Sequence, residues 1–217
     1  MTDQSAAQPA YKPKLGRPPS MDNPRDQILN HAARLFADKG FEACSLRDLS
    51  VAAGLSKPAI YNYYDSKQAV YDAIILRTLK RLAEDSRRAV DPEADPTVQL
   101  RAFMRAHAQS FEDQYEGFVA TLIGFSGMSQ GLRNEAQQFR DEHEHRLRGI
   151  IARGVSLGVF RPTDPETVGR AVLSMLNWMA RWFKPGAGKT ATEVADGYFN
   201  LIASGLNAPV MLGVSWW

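Results

Sequence analysis

The 217-residue sequence has little cysteine and no long apolar segment. Its one cysteine, Cys44, cannot form a disulfide within the chain, which fits the reducing environment of the cytoplasm. No apolar run approaches the roughly 18 residues that a membrane-spanning helix requires, and the polar N-terminus lacks the hydrophobic segment of a secretory signal peptide. The sequence therefore predicts a cytoplasmic protein without a membrane segment.

Residues arranged for catalysis or metal binding are also missing from the sequence. It has neither a nucleophile elbow nor a phosphate-binding glycine loop. The most metal-like stretch is DEHEH, from Asp141 to His145. His143 and His145 would point about 200° apart on a helix, and Asp141 with His145 would supply only two ligands. We interpret this stretch as a solvated charged face and predict a protein that is not an enzyme and uses no metal or other cofactor.

The net charge is low for the whole chain, at +2, but the charges are unevenly distributed. Residues 1–89 contain 14 Lys and Arg against 10 Asp and Glu, whereas the rest of the chain contains 12 against 14. A basic N-terminal part suits contact with nucleic-acid phosphates, although the asymmetry is mild.

The most informative stretch is SLRDLSVAAGLSKPAIYNYYDSK, from Ser45 to Lys67. Its first helix begins after Ser45, a good N-cap, and ends at Gly54, since a left-handed backbone conformation favours glycine. Ser56 is a second N-cap, and Pro58 lies in the first turn of the next helix, where a missing N–H is tolerated. Two short capped helices joined by a glycine-containing turn are typical of a helix-turn-helix, whose second helix enters the DNA major groove.

The segment AAGLSKPAIYNYYDSK, from Ala52 to Lys67, resembles the DNA-binding signature of TetR-type repressors. The upstream run ILNHAARLFADKG, from Ile28 to Gly40, together with Phe41 is similar to the first helix of that family and the corner after it. The resemblance implies an all-α protein of about nine helices. An N-terminal three-helix DNA-binding domain would precede a larger helical domain for ligand binding and dimerisation.

The resemblance also implies which side chains meet double-stranded DNA. The family's base-reading positions correspond to Arg47, Lys57, Pro58 and Ala59. Its phosphate-contacting positions correspond to Tyr61, Tyr63 and Lys67, while Asn62 suits either role and Ser45 belongs to the same DNA-binding set. Lysine and arginine can donate to guanine, and apolar side chains can contact the thymine methyl group. The alternative for the tyrosines is a half-buried aromatic stripe, and we expect Tyr64 to pack inward.

The stretch KPKLGRPPS, from Lys12 to Ser20, lies in an N-terminal segment rich in Pro, Ala, Gln and Lys. Gly16-Arg17-Pro18 resembles the core of an AT-hook, in which an extended arginine enters a narrow minor groove. The alternative is an unstructured basic leader that only raises solubility.

Cap and breaker residues divide the remainder of the chain into helices. Asn23 and Pro24 predict the first helix start, and Thr190 with Glu193 predicts a capping box before the last helix. We predict a disordered basic arm (1–21), a helix-turn-helix domain (22–67), a linker helix (68–90), a ligand-binding and dimerisation domain (91–207) and an apolar tail (208–217).

The C-terminal half is rich in aromatic residues that could line an effector cavity. The stretch from Leu173 to Leu206 resembles TetR regulators that respond to acyl-coenzyme A thioesters in fatty-acid and steroid catabolism. The candidate ligand-binding residues are Phe103, Phe111, Phe118, Phe125, Met128, Phe139, Trp178 and Trp182. Ordinary core packing is the alternative for each aromatic, and a subunit interface is the alternative for the two tryptophans.

Dimerisation through the last two helices is implied by the same resemblance. Each of these helices is apolar around more than one stripe, which fits burial against both its own domain and a partner. The predicted interface residues are Val172, Met175, Met179, Tyr198, Leu201 and Ile202. We therefore predict a homodimeric, ligand-responsive DNA-binding regulator, most simply a repressor released by a small hydrophobic or acyl-CoA effector. The alternatives are an architectural DNA-binding protein without an effector and an enzyme with an incidental helix-turn-helix.

Overall fold

The computed structural model describes residues 23–124 and 128–207, and all regular structure in these two ranges is helical. The helices are α1 (Pro24–Lys39), α2 (Leu46–Ala52), α3 (Lys57–Tyr61), α4 (Lys67–Ala89), α5 (Pro96–Asp113), α6 (Tyr115–Gly124), α7 (Gln130–Ser156), α8 (Pro165–Trp182) and α9 (Ala191–Asn207). The all-α prediction is confirmed, with nine helices in the described part of the chain. The predicted arm with Arg17, the residue Phe125 and the apolar tail lie outside the described residues.

Most helix starts follow the caps that the sequence predicts. Ser45 and Asp48 form a reciprocal capping box at α2, and the Ser56 side chain accepts from a backbone N–H group at α3. The Ser66 side chain caps α4 in the same way, at a position where no cap was predicted. Thr190 and Glu193 form the predicted box before α9.

The prediction that the Asn23 side chain caps α1 is wrong. Asn23 stands at the N-cap position with a φ of 50°, but its side chain accepts no backbone N–H bond there. It donates instead to the Asp26 carboxylate. Pro24 lies in the first turn as predicted, so α1 starts without a side-chain cap on its backbone.

The N-terminal core joins helices from both halves of the sequence. Ile28, Ile60 and Ile74 are completely buried there and hold α1, α3 and α4 together. Met128 and Ala136 belong to the same core, which places the beginning of α7 against the N-terminal helices. The larger C-terminal core is formed by α5, α7, α8 and α9 with the second half of α4.

Specific polar contacts join helix α4 to α6 and to the residue before α7. The Tyr71 hydroxyl donates to the Ala120 carbonyl of α6 at 3.2 Å, and buried Asp72 accepts from the Ser129 backbone N–H at 3.3 Å. Gly117 of α6 lies so close to α4 that a Cβ atom there would be 2.5 Å from Thr78 Oγ1. A displacement of α6 would therefore press directly on α4.

None of the described helices is both long and apolar enough to cross a membrane.

Candidate functional site

Helices α2 and α3 form the predicted helix-turn-helix. Gly54 adopts a φ of 64° in the turn, and the Leu55 backbone N–H donates to the Ser50 carbonyl at 2.9 Å. Ile60 of α3 is completely buried in the N-terminal core. The burial of Ile60 anchors the inner face of α3 in the core, and the outer face of α3 remains exposed to solvent.

The predicted base-reading residues lie at the first turns of these helices. The side chains of Arg47, Lys57 and Pro58 are exposed, while Ala59 is half-buried. Val51 of α2 is a further exposed residue, with 77% of its surface accessible.

The tyrosines of the motif separate into three environments. Tyr61 is 44% exposed and its ring lies 5.8 Å from Lys57 Nζ, and Asn62 beside it is exposed. Tyr63 is half-buried against the N-terminal core, whereas Tyr64 is buried as predicted, and this burial raises the pKa of its hydroxyl. A single half-buried stripe therefore does not describe them.

Two of the predicted DNA-binding residues have structural contacts within the chain. Ser45 is engaged in the α2 capping box, donating to Asp48 at 2.6 Å, and this bond is the main reason that the pKa of the Asp48 carboxyl is lowered. Lys67 Nζ donates to the Phe41 carbonyl at 2.8 Å and lies 4.1 Å from the centroid of the Phe41 ring. Lys67 thus holds the α1–α2 corner onto the start of α4.

Comparisons with known proteins agree with this geometry. Residues 28–74 match the family described as "Bacterial regulatory proteins, tetR family", and residues 93–206 match "Tetracyclin repressor-like, C-terminal domain". The chain belongs to the TetR family. As a member of this family of transcriptional regulators it is not an enzyme.

Similar proteins of the TetR family cover most of the chain. The TetR-family regulator PfmR of Thermus thermophilus is 48% identical with a TM-score of 0.79, over 83% of this chain and 99% of that one. The repressor KstR2 of Rhodococcus jostii is 28% identical over 85% of this chain and 92% of its own length. AibR, solved with isovaleryl coenzyme A and operator DNA, has a TM-score of 0.74 at 24% identity over 82% of this chain and 97% of that one.

The aromatic residues predicted to bind an effector are mostly core residues. Phe103 and Phe111 are almost completely buried, and Phe111 makes edge-to-face contacts with Phe118 and Phe183, each with ring centroids 5.5 Å apart. Met128 is buried in the N-terminal core. For these four predicted residues the packing interpretation describes the structure better than an open cavity wall.

Phe139 differs from the others because it lines a cavity, of about 100 Å³, between α4, α5, α7 and α8. We call this cavity the histidine cavity. Its lining residues are Leu79, Leu82, His107, Gln137, Phe139, Arg140, His143, Glu144, Leu173 and Asn177. A larger cleft of about 580 Å³ lies between α1, α4 and α6 and is lined mainly by charged side chains.

The interpretation of DEHEH as a solvated face is wrong for His143. Its ring is buried and makes two hydrogen-bond contacts, with Ser86 Oγ at 3.0 Å through Nδ1 and with His107 Nδ1 at 3.0 Å through Nε2. Burial lowers the pKa of His107 to about 3 and holds the pKa of His143 well below its ordinary value. His145 is exposed, as predicted. No group of three or more metal-ligating side chains occurs in residues 23–124 and 128–207.

Only some of the residues predicted for the dimer interface lie at the surface of the chain. Val172 and Met179 are completely buried within their own domain, so they cannot contribute surface to a partner, and that assignment is wrong. Trp178, Trp182 and Leu201 are instead the exposed large apolar residues of α8 and α9, at 60%, 49% and 67% accessibility. Met175, Tyr198 and Ile202 are partly exposed beside them.

Proposed function

We propose that this TetR-family protein binds a palindromic operator as a homodimer and is released from it by a small hydrophobic or acyl-CoA effector. The observation that carries the proposal is the exposure of Arg47, Lys57 and Pro58 at the first turns of α2 and α3. These side chains project from helices whose opposite faces are buried, so the reading surface is rigid.

Base reading is assigned to Arg47, Lys57, Pro58 and Ala59. Arginine and lysine donate to guanine O6 and N7, whereas proline and alanine offer apolar contact to a thymine methyl group. Tyr61, Tyr63 and Lys67 anchor the phosphates, Asn62 serves either role, and Ser45 sets the first turn of α2 at the DNA backbone.

The dimer forms through the exposed faces of α8 and α9. Burying exposed apolar surface is favourable, and this face presents the large apolar side chains of Trp178, Trp182 and Leu201. The partly exposed side chains of Met175, Tyr198 and Ile202 complete the face. One helix-turn-helix touches few bases, and a two-fold dimer doubles the readout on a palindrome. In this arrangement the two tryptophans serve the interface rather than the effector.

Release follows from a shift between two dimer populations. An effector in the C-terminal domain favours the population whose recognition helices no longer match major grooves about 34–36 Å apart. Helix α4 carries the change because its side chains line both the histidine cavity and the N-terminal core. The structure of AibR with isovaleryl coenzyme A and operator DNA supports a coenzyme A thioester as the first class to test.

The N-terminal arm is assigned an auxiliary role, with Arg17 in the minor groove beside the operator. An Arg17→Ala variant should lose a preference for A·T-rich flanks while keeping the central palindrome. Equal flank preference in the variant and the wild type would contradict this role.

The experiment is a selection from a random DNA duplex pool, followed by titration of the selected duplex with a panel of acyl-CoAs. We expect an enriched palindrome and weaker binding with at least one thioester. A pool without any enriched sequence would contradict operator binding. An enriched palindrome that no thioester releases would contradict the effector class alone.

A further inference from the structure

The buried side chains of Ser86, His143 and His107 form a hydrogen-bonded chain across three helices, α4, α7 and α5. Consecutive polar atoms lie 3.0 Å apart at both steps. Each of these three residues has at most 4% of its surface exposed. These hydrogen bonds therefore have well-defined partners, and water does not compete with them.

The direction of its hydrogen bonds follows from Ser86. The Ser86 hydroxyl has one proton and lies 3.0 Å from the Ala83 carbonyl oxygen, which can only accept. With that proton donated to Ala83, Ser86 accepts from His143 Nδ1–H. His143 Nε2 then accepts from His107 Nδ1–H, which leaves His107 Nε2 with a lone pair and no proton.

That lone pair has no hydrogen-bond partner among the described residues, and the atom is buried. A buried polar atom without a partner destabilises the fold, so such atoms usually have a functional or structural reason. His107 lines the histidine cavity together with the apolar side chains of Leu79, Leu82 and Leu173. Polar and charged side chains form the rest of the lining, namely Gln137, Arg140, Glu144 and Asn177. His107, whose Nε2 has no partner, thus lines a cavity that has both an apolar and a polar wall.

We propose that His107 Nε2 accepts a hydrogen bond from a hydroxyl or amide N–H group on the uncharged, mainly apolar part of an effector, and that this part is bound in the histidine cavity. A carboxylate has no proton to donate to Nε2, and desolvation keeps both histidines neutral, so the histidines themselves offer no positive charge to an anion. The cavity volume of about 100 Å³ matches the space of about three water molecules, so a short chain fills it.

The same contact would reach the DNA-binding unit. Ser86, Leu79 and Leu82 lie on α4, whose first half packs in the N-terminal core. A ligand seated on His107 would therefore touch the helix that carries the recognition domain. The assignment rests on the proposed effector-responsive function but concerns a separate observable, the state of one histidine nitrogen.

The test uses the full-length protein labelled with ¹⁵N-histidine. The protein contains four histidines, so its spectrum has few signals to assign. Long-range proton–nitrogen NMR spectra report directly which ring nitrogen carries the proton. The probes are 3-hydroxybutyryl-CoA and 3-hydroxyoctanoyl-CoA, each compared with its unsubstituted parent, and the second readout is release from the selected operator. The variants are His107→Phe, which keeps a flat ring without Nε2, and His145→Phe as an exposed control on α7.

In the free wild type we expect His107 to carry its proton on Nδ1 and none on Nε2. One hydroxylated probe should shift the His107 Nε2 resonance and bind about tenfold more tightly than its parent, and His107→Phe should lose this difference while His145→Phe keeps it. A proton on Nε2 in the free protein, or no preference for either hydroxylated probe, would overturn the proposal. These spectra of the wild type decide the matter even if His107→Phe fails to fold.

The two proposals fail in different ways. A shifted His107 resonance without release of DNA would leave the binding site in place and contradict the effector function. Release of DNA by a thioester that leaves the His107 resonance unchanged would contradict the site and support the function.

Discussion

Lys67 Nζ lies 2.8 Å from the backbone carbonyl oxygen of Phe41 and 4.1 Å from the centroid of its ring. The ammonium group therefore stabilises the corner between α1 and α2 as well as serving as a candidate phosphate contact. A Lys67→Met variant should lose about 1–2 kcal/mol of unfolding free energy, because a charge-assisted hydrogen bond and a cation–π contact disappear together. Urea unfolding measures this loss.

The matched control is Lys57→Met, since Lys57 is exposed at the start of α3. It should change the unfolding free energy by less than about 0.5 kcal/mol. Both variants should weaken DNA binding and flatten its dependence on salt, as each dimer loses two phosphate or base contacts. Equal stability of the two variants would contradict the structural role of Lys67.

Arg47 is predicted to discriminate between bases rather than only to anchor the protein. Arg47→Ala should reduce the preference for the selected operator over a duplex altered at one base pair by about 1–3 kcal/mol. Tyr61→Ala, a change at a predicted phosphate contact, should weaken binding to both duplexes alike. Fluorescence anisotropy titrations with the two duplexes measure the ratio, and an unchanged ratio in Arg47→Ala would remove Arg47 from the reading set.

The exposed tryptophans of α8 test the dimer surface. Replacing Trp178 and Trp182 by serine should raise the dimer dissociation constant at least about 30-fold, because buried interface tryptophans commonly contribute about 2 kcal/mol or more. Val98→Ser provides a control, since Val98 is also exposed, at 58%, but lies on α5. Sedimentation velocity measures the dimer fraction. A double variant as dimeric as the wild type would place the interface elsewhere.

The buried histidine pair predicts how stability depends on pH. Burial lowers the folded-state pKa of His107 to about 3 and that of His143 well below normal, whereas an unfolded histidine has a pKa of about 6.5. Between the folded-state and unfolded-state pKa values, the histidines are protonated only in the unfolded state. The free energy of unfolding therefore falls as the pH decreases below about 6.5. From pH 6.5 to pH 5 the expected loss caused by His107 is about 1.6 kcal/mol, and His143 adds to it in the same direction.

Urea unfolding at several pH values measures this dependence. His107→Phe should remove the part of the loss that His107 causes, whereas His145→Phe, on the exposed face of the same helix as His143, should leave the loss unchanged. If His107→Phe unfolds with the same pH dependence as the wild type, the buried neutral pair does not control acid stability.

Local signals in the sequence were sufficient for the helix-turn-helix. Ser45, Ser56 and Gly54 act through the backbone within a few residues of themselves, so their positions specify the caps and the turn. Asn23 shows the limit of this reasoning, because Asp26 competes for its side chain. A cap residue in the sequence predicts a helix start better than it predicts the bond that the side chain makes.

Contacts between distant helices were not predictable in the same way. Helical spacing relates His143 only to residues on its own helix, whereas its hydrogen-bond partners, Ser86 and His107, lie on two other helices. The apolar pattern of α8 is similar on two faces, so it did not tell Val172 and Met179, which face the domain core, from Trp178, which faces outward. The burial of Met128 among residues of the DNA-binding unit likewise depends on how α7 packs against α4, not on local sequence.

The central claim is that two copies of this chain hold one palindromic operator through their helix-turn-helix units. Native mass spectrometry of the full-length protein with the selected duplex tests it most directly. We predict a complex of two chains per duplex, and its loss when Arg47 and Lys57 are both replaced by alanine. One chain per duplex, or an equally abundant complex with the double variant, would contradict the account.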